Sequence, residues 1–202
     1  MSITNQKIDS SVYFLLHTMF LIWYTEYMRR IVDKNFYRQD TTTLAKALIG
    51  KWIVVNVDDT KYLAQISETE AYLGVGDSAC HTYGGKRTDR TEPMWQDGGT
   101  VYVYLCYGMH YLLNIVSKKE NEPEAVLIRA TIEANGPGKL TKYLHIDKTF
   151  NNEDISTSDK IQIYDDGNKY SFIIDKRVGI DYANPIDRNA KLRYILYDKV
   201  KL

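Results

Sequence analysis

Val101-Tyr102-Val103-Tyr104-Leu105-Cys106-Tyr107-Gly108-Met109-His110-Tyr111-Leu112-Leu113-Asn114-Ile115-Val116-Ser117 decides the fold class. Val101 to Tyr107 is a strand by β-propensity and by alternation. Tyr111 to Ser117 is its partner, and Gly108-Met109-His110 is the turn between them. Bulky residues are an unusual choice for a plain turn. Tyr107 and Met109, exposed at such a tip, point to insertion into something. A second hairpin precedes this one: Trp52 to Val57 is rich in β-branched residues, Asp58-Asp59 is a turn, and Lys61 to Glu70 runs back.

Helices flank the strands. Asp40-Thr41-Thr42-Thr43 supplies N-cap candidates for a short helix through Leu44, Ala45, Ala47 and Leu48, and Gly50 is its stop. Ala125 to Thr131 is a strand carrying Arg129 among apolar neighbours, where a cation needs a partner or a function. Asn135-Gly136-Pro137-Gly138-Lys139 introduces a helix over Leu140 to His145, with proline in the first turn. Its glycines and Lys139 suit a phosphate contact but lack nucleotide-loop spacing. Further short strands are expected over Ile161 to Tyr164, Tyr170 to Ile174 and Leu192 to Leu196. Leu73 to Gly99 holds six glycines and Pro93 without periodicity and reads as surface loops. These signals together make an α+β domain.

The totals bound the function classes. The chain has 202 residues, enough for one domain with a real core. Its formal net charge is +0, which gives no support of its own to nucleic-acid binding. Two cysteines, Cys80 and Cys106, are too few for a disulfide framework and suit a reducing compartment. No chelating His or Cys spacing is present, so no metal and no cofactor are expected. Val12 to Tyr24 is apolar but shorter than the roughly 20 residues that span a bilayer. Residues 1–30 read as an apolar N-terminal extension, with Met28 an alternative first residue. Residues 31–202 read as the domain of a monomeric, cytoplasmic protein without a membrane partner.

The chemistry concentrates between Glu68 and Asn114. Glu70 and Tyr72 point to one side of an extended backbone, as do Tyr102 and Tyr104. With their strands adjacent, Glu70, Tyr72 and Tyr104 line one concavity. Two tyrosine faces make a stacking slot for a flat ring, best for a cationic one. A carboxylate at the slot's end takes a proton from water, and Arg129 is placed to keep it ionised. Each residue also has a plainer reading. Tyr-x-Tyr is a common cross-strand core pair, and a glutamate at a strand end is commonly solvated. His81 fits a structural hydrogen bond, Asn114 a turn cap, and Arg129 a structural ion pair. The residues alone therefore stop at a ligand-binding α+β domain for a planar ring.

Glu68-Thr69-Glu70-Ala71-Tyr72-Leu73-Gly74 with Asp77 and His81, then Tyr102-Val103-Tyr104, Tyr107-Gly108-Met109-His110 and Asn114, resembles the alkyladenine DNA glycosylase family of the mammalian type. Val126 to Ala130, Asn135 to Leu140 and Arg177-Val178-Gly179-Ile180 are similar to its later motifs, so the likeness runs from Asp33 to Tyr197. It implies a single mixed domain around a curved antiparallel sheet with a protruding β-hairpin. It implies a monofunctional enzyme that flips alkylated or deaminated purines out of double-stranded DNA and hydrolyses the glycosidic bond. The bases in view are 3-methyladenine and 7-methylguanine, with hypoxanthine and ethenoadenine beyond them. By the same resemblance Glu70 is the general base, and Arg129 and the Val178 backbone carbonyl position its water. Tyr72, His81, Tyr104 and Asn114 surround the base, with Asn114 discriminating against the guanine amino group. Tyr107 fills the gap in the duplex, with Met109 and His110 beside it in the minor groove. Lys86, Arg87, Arg90, Lys139 and Lys142 are the phosphate contacts.

Departures from the family are few. The helical segment that usually follows Arg129 is nearly absent before Asn135. Thr91 stands in place of an asparagine, and Trp95 in place of a phenylalanine. The competing readings are a lesion-binding module with weak turnover and a non-catalytic RNA- or protein-binding domain on the same scaffold.

Overall fold

The structure is a computed structural model that describes residues 27–197, so the apolar run Val12 to Tyr24 lies outside the described residues. Nine strands and four helices follow in chain order. They are β1 (Arg29–Arg30), α1 (Lys34–Tyr37), α2 (Thr41–Leu48), β2 (Trp52–Val57), β3 (Thr60–Tyr72), β4 (Val101–Cys106), β5 (His110–Ser117), β6 (Glu124–Thr131), α3 (Pro137–Tyr143), β7 (Ile161–Asp165), β8 (Phe172–Asp175), α4 (Pro185–Asn189) and β9 (Arg193–Leu196). All pairings are antiparallel, in the order β1-β7-β2-β3-β6-β5-β4, with β9 also on β3 and β8 on β9. Of the expected extension, Arg29–Arg30 thus form the sheet's first strand, and Met28 packs on Val54 and Leu63.

Strand β3 organises the sheet. Its first half pairs with β2 and its second half with β6 and β9. Register shifts between Ile66 and Thr69 mark a bulge, which bends a strand and raises its twist. The bulge lets one long strand serve two sheet directions and curls the sheet around a core. That core lies on one face, where Ile66, Val103, Leu113, Ile115, Val126 and Ile128 meet Leu44 and Leu48 of α2, Leu140 of α3 and Leu144 just after it. Asp40 caps α2 by accepting from the Thr42 and Thr43 N–H groups. The Thr69 hydroxyl donates to the Ala45 carbonyl at 2.8 Å, fixing α2 on β3.

Alternation sends every second residue of β3 to β6 to the other face. Register sets Glu70 opposite Leu127, Leu127 opposite Asn114, and Asn114 opposite Tyr102. One row of side chains therefore crosses four strands. Tyr72 stands beside Ala125 in the next row, and Tyr104 beside Leu112 on the opposite side.

Some expected boundaries shift. The β4–β5 bend closes one residue early, with the Met109 N–H donating to the Cys106 carbonyl at 3.1 Å, so Tyr107 sits in the turn rather than in the strand. The helix expected over Leu140 to His145 begins instead at Pro137. After β6 the chain turns at once: the Thr131 N–H donates to the Ala134 carbonyl and the Ala134 N–H to the Thr131 hydroxyl, both at 3.0 Å. The short connection thus satisfies its own backbone. Among the described residues, no helix is long and apolar enough to cross a membrane.

Candidate active site

Above this sheet face lies a cavity of about 780 Å³. Glu70 is at its base and fully buried. Its Oε1 accepts from the Val178 N–H at 2.9 Å and lies 3.1 Å from Arg129 Nε, while its Oε2 accepts from the Tyr72 hydroxyl at 2.9 Å. Arg129 also lies 3.8 Å from Glu68, which Arg193 holds at 2.8 Å. Burial pushes the Glu70 carboxyl above its ordinary value, against the pull of the Val178 N–H, the Tyr72 hydroxyl and Arg129. Arg129 makes the expected contact, but desolvation outweighs it. The Val178 backbone meets the carboxylate through its N–H.

Aromatic rings wall the cavity. Tyr72, His81, Tyr102, Tyr104 and Asn114 all line it. His81 Nδ1 is 2.9 Å from the Tyr102 hydroxyl, and its ring meets Tyr104 edge-on with centroids 4.6 Å apart. Burial, then Arg90 and Lys86, lower the His81 pKa to about 4, so the imidazole is neutral near pH 7. Burial also raises the Tyr102 hydroxyl to about 12, which keeps its proton. Asn114 is 5% exposed, and its Nδ2 donates to the Tyr102 carbonyl at 3.1 Å, pinning the amide.

The rim carries apolar tips and cations. Tyr107 is 89% exposed and Met109 is 72% exposed, both at the hairpin tip. Tyr107 has φ +50 and Gly108 φ +69. Glycine adopts that left-handed backbone freely, whereas a tyrosine there costs on the order of 1 kcal/mol. His110 starts β5 and packs under α3, where a Cβ on Gly138 would come within 2.7 Å of the His110 ring. Glycine is therefore required at 138 for hairpin and helix to touch. Lys86 and Arg90 line the cavity, with Arg90 5.2 Å from the Tyr104 ring centroid. Arg87 is held differently: its guanidinium pairs with both Glu92 oxygens at 2.8 and 2.6 Å and stacks on Trp95. Lys139 and Lys142 lie on α3, whose Pro137 reaches the cavity. Thr91 is buried and accepts the Thr88 N–H at 2.9 Å, closing the loop that carries these cations.

Three contributors have roles that the sequence did not assign to them. Tyr102 holds His81, and its place two residues before Tyr104 was the available signal. Tyr182 lines the cavity, is 70% exposed and donates to the Ala79 carbonyl at 2.9 Å; no local pattern marks it. Arg177, buried on Asp77, lies behind Tyr72. Among the described residues, no group of three or more His, Cys, Asp or Glu residues is placed to hold a metal ion.

Comparison with known proteins agrees with this geometry. The profile of the methylpurine-DNA glycosylase family matches residues 35–133 and 131–200. A protein of Borrelia garinii subsp. bavariensis is 42% identical over 179 residues, covering 83% of this chain and 96% of its own. A Clostridium novyi protein is 43% identical over 183 residues, covering 77% and 90%. A Natranaerobius thermophilus protein is 42% identical over 175 residues, covering 75% and 88%. Each is provisionally named a 3-methyladenine DNA glycosylase. With the family profile covering nearly all of the sheet and both walls of the cavity, the chain belongs to the methylpurine-DNA glycosylase family.

Proposed function

We propose that this protein is a monofunctional DNA glycosylase that releases alkylated purines, 3-methyladenine and 7-methylguanine first, from duplex DNA. The observation that carries this reading is Glu70, fully buried at the base of an aromatic cavity whose rim holds an exposed tyrosine. A flipped base enters between Tyr72 and Tyr104, with His81 at its edge. Methylation makes the base cationic, and tyrosine faces favour a cation over the neutral base.

The same charge supplies the leaving group. Glu70 takes a proton from water as the water oxygen bonds to the sugar C1′. The glycosidic bond breaks and its electron pair goes to the base, which departs neutral. Arg129 and the Val178 backbone orient the carboxylate and water. No amine nucleophile enters, so the DNA strand stays intact. Neutral lesions, hypoxanthine and ethenoadenine, lack this built-in leaving group and test the range. Asn114, pinned by its amide, weighs against the guanine 2-amino group, a penalty that the positive charge of 7-methylguanine offsets. Tyr107, with Met109 and His110, fills the gap left in the stack and offsets its unstacking. Lys86, Arg87, Arg90, Lys139 and Lys142 contact the phosphates.

The test is incubation of the protein with methylated duplex DNA, assaying free base and alkali-labile abasic sites. Release of 3-methyladenine or 7-methylguanine, without strand breaks before alkali, supports the reading. Tight binding to an abasic duplex without release would replace it with a lesion-binding module.

A further inference from the structure

We infer that Arg177, clamped by Asp77, is a positioning residue that presents Tyr72 and the Val178 N–H to Glu70 and sets the charge around that carboxylate. This rests on the reading of Glu70 as a hydrolytic base.

The geometry is specific. The Arg177 side chain is 0% exposed. Its two terminal nitrogens meet both Asp77 oxygens at 2.5 and 2.8 Å, a bidentate pair. One of them also donates at 3.0 Å to the carbonyl of Ala71, the residue between Glu70 and Tyr72. The other donates to the Asp187 carbonyl at 3.3 Å. The guanidinium carbon lies 4.7 Å from the Tyr72 ring centroid. Arg177 thus grips the end of β3 by its backbone and by the adjacent ring.

Two of the donors to Glu70 depend on this grip. The Tyr72 hydroxyl is carried by the ring that Arg177 stacks on. The Val178 N–H belongs to the residue next to Arg177 in the chain. Asp77 extends the effect to the other wall, because its oxygens also accept the Leu73 and Ala79 N–H groups at 3.0 Å each. The loop that carries His81 is closed on the same carboxylate. A buried ion pair adds little net stability compared with apolar packing. What this pair adds is orientation, at the one place where orientation governs a reaction.

The charges facing Glu70 are Arg129 from β6, Glu68 on β3 with Arg193 from β9 behind it, and the Arg177–Asp77 pair from the loops. Arg177 stacks on the Tyr72 ring whose hydroxyl reaches Glu70, which puts its charge one ring away from that carboxylate. Removing one member of the Arg177–Asp77 pair therefore changes the field at Glu70 in a predictable sense. A purely structural pair would not do so.

The experiment is the pH profile of single-turnover 7-methylguanine release by wild type, Arg177→Met, Arg177→Lys and Asp77→Asn, with each fold checked by thermal melting. The acid limb of the profile reports ionisation of Glu70. Arg177→Met removes a cation and moves the limb to higher pH. Asp77→Asn leaves the cation uncompensated and moves it lower, each by roughly half a unit or more. Arg177→Lys keeps the charge and loses the fork, so the limb stays while the rate falls at least about tenfold. Should Arg177→Met fail to fold, a limb lowered in Asp77→Asn but unmoved in Arg177→Lys is the expected result, and a limb unmoved in Asp77→Asn overturns the inference. Limbs that coincide with wild type in folded Arg177→Met and Asp77→Asn, or that shift in one direction together, would overturn the inference. An inactive wild type would instead remove the hydrolytic reading, and the inference with it.

Discussion

Glu70 combines near-complete burial with three donors on its two oxygens. Burial and donors pull its titration in opposite directions, and burial prevails. A base must take up a proton, and a raised carboxyl takes one more readily than a free carboxylate does. Glu70→Gln keeps the shape and one acceptor but cannot take a proton. Base release should fall by about 10²-fold or more, while binding to lesion duplex stays within a few-fold; single-turnover release and gel-shift titration measure the two. Undiminished release would remove Glu70 from the mechanism. Asn114 acts on selection rather than rate. Its pinned amide cannot swing aside, so Asn114→Ala opens the space it fills. Release of unmodified guanine should rise relative to 3-methyladenine in the variant, measured by competition in one duplex pool. An unchanged ratio would leave Asn114 a structural residue, holding β4 to β5.

At the scale of elements, the β4–β5 hairpin separates two jobs by parity. Val101 and Val103 face the core, Tyr102 and Tyr104 face the cavity, and the tip stands exposed at the cavity rim. Tyr107→Ser removes the wedge at the rim and leaves Tyr72, His81, Tyr104 and Asn114 in place. Duplex affinity should drop by about tenfold, a loss on the order of 1.4 kcal/mol, with the ratio of 3-methyladenine to 7-methylguanine release unchanged. Fluorescence anisotropy checks the first and product analysis the second; equal affinity would dismiss the wedge. This hairpin was legible in the sequence because propensity, alternation and a glycine all lie within seventeen residues of one another. The Asp58-Asp59 turn was legible for the same reason, and both residues take positive φ. The tip was misplaced by one residue because a tyrosine at φ +50 violates the local rule that would locate it. Leu73 to Gly99 looked structureless because its order comes from afar. Asp77 is fixed by Arg177, 100 positions away, and Ser78 by Asp187, 109 positions away. The one-turn helix α4 went unseen since it hangs on a single Asn184 cap.

For the whole molecule, the functional cavity carries a cost that pH should expose. His81 is held neutral with a pKa of about 4, against 6.5 in a free side chain. Between those values the unfolded chain takes up a proton that the folded one refuses. Stability is therefore fully present above pH 6.5 and is lost as pH falls toward 4, by up to about 3 kcal/mol from this residue alone. Glu70 works the other way, because its raised carboxyl binds a proton more readily in the folded state. Asp97, held down to about 2 first by Arg38 and then by Lys34, contributes only below the ordinary carboxylate range of 3.8. Glu70 and Asp97 are common to wild type and a His81 variant, so His81 can be isolated by difference. His81→Asn keeps a polar side chain beside Tyr102 and has nothing to titrate. Urea unfolding of both proteins at about pH 7 and about pH 4.5 gives the comparison. Wild type should lose more stability than His81→Asn on acidification, by about 2 kcal/mol, roughly 1.4 kcal/mol per pKa unit traversed. Parallel losses in the two proteins would mean that His81 accepts its proton inside the fold, and that the cavity wall is wetter than its burial indicates.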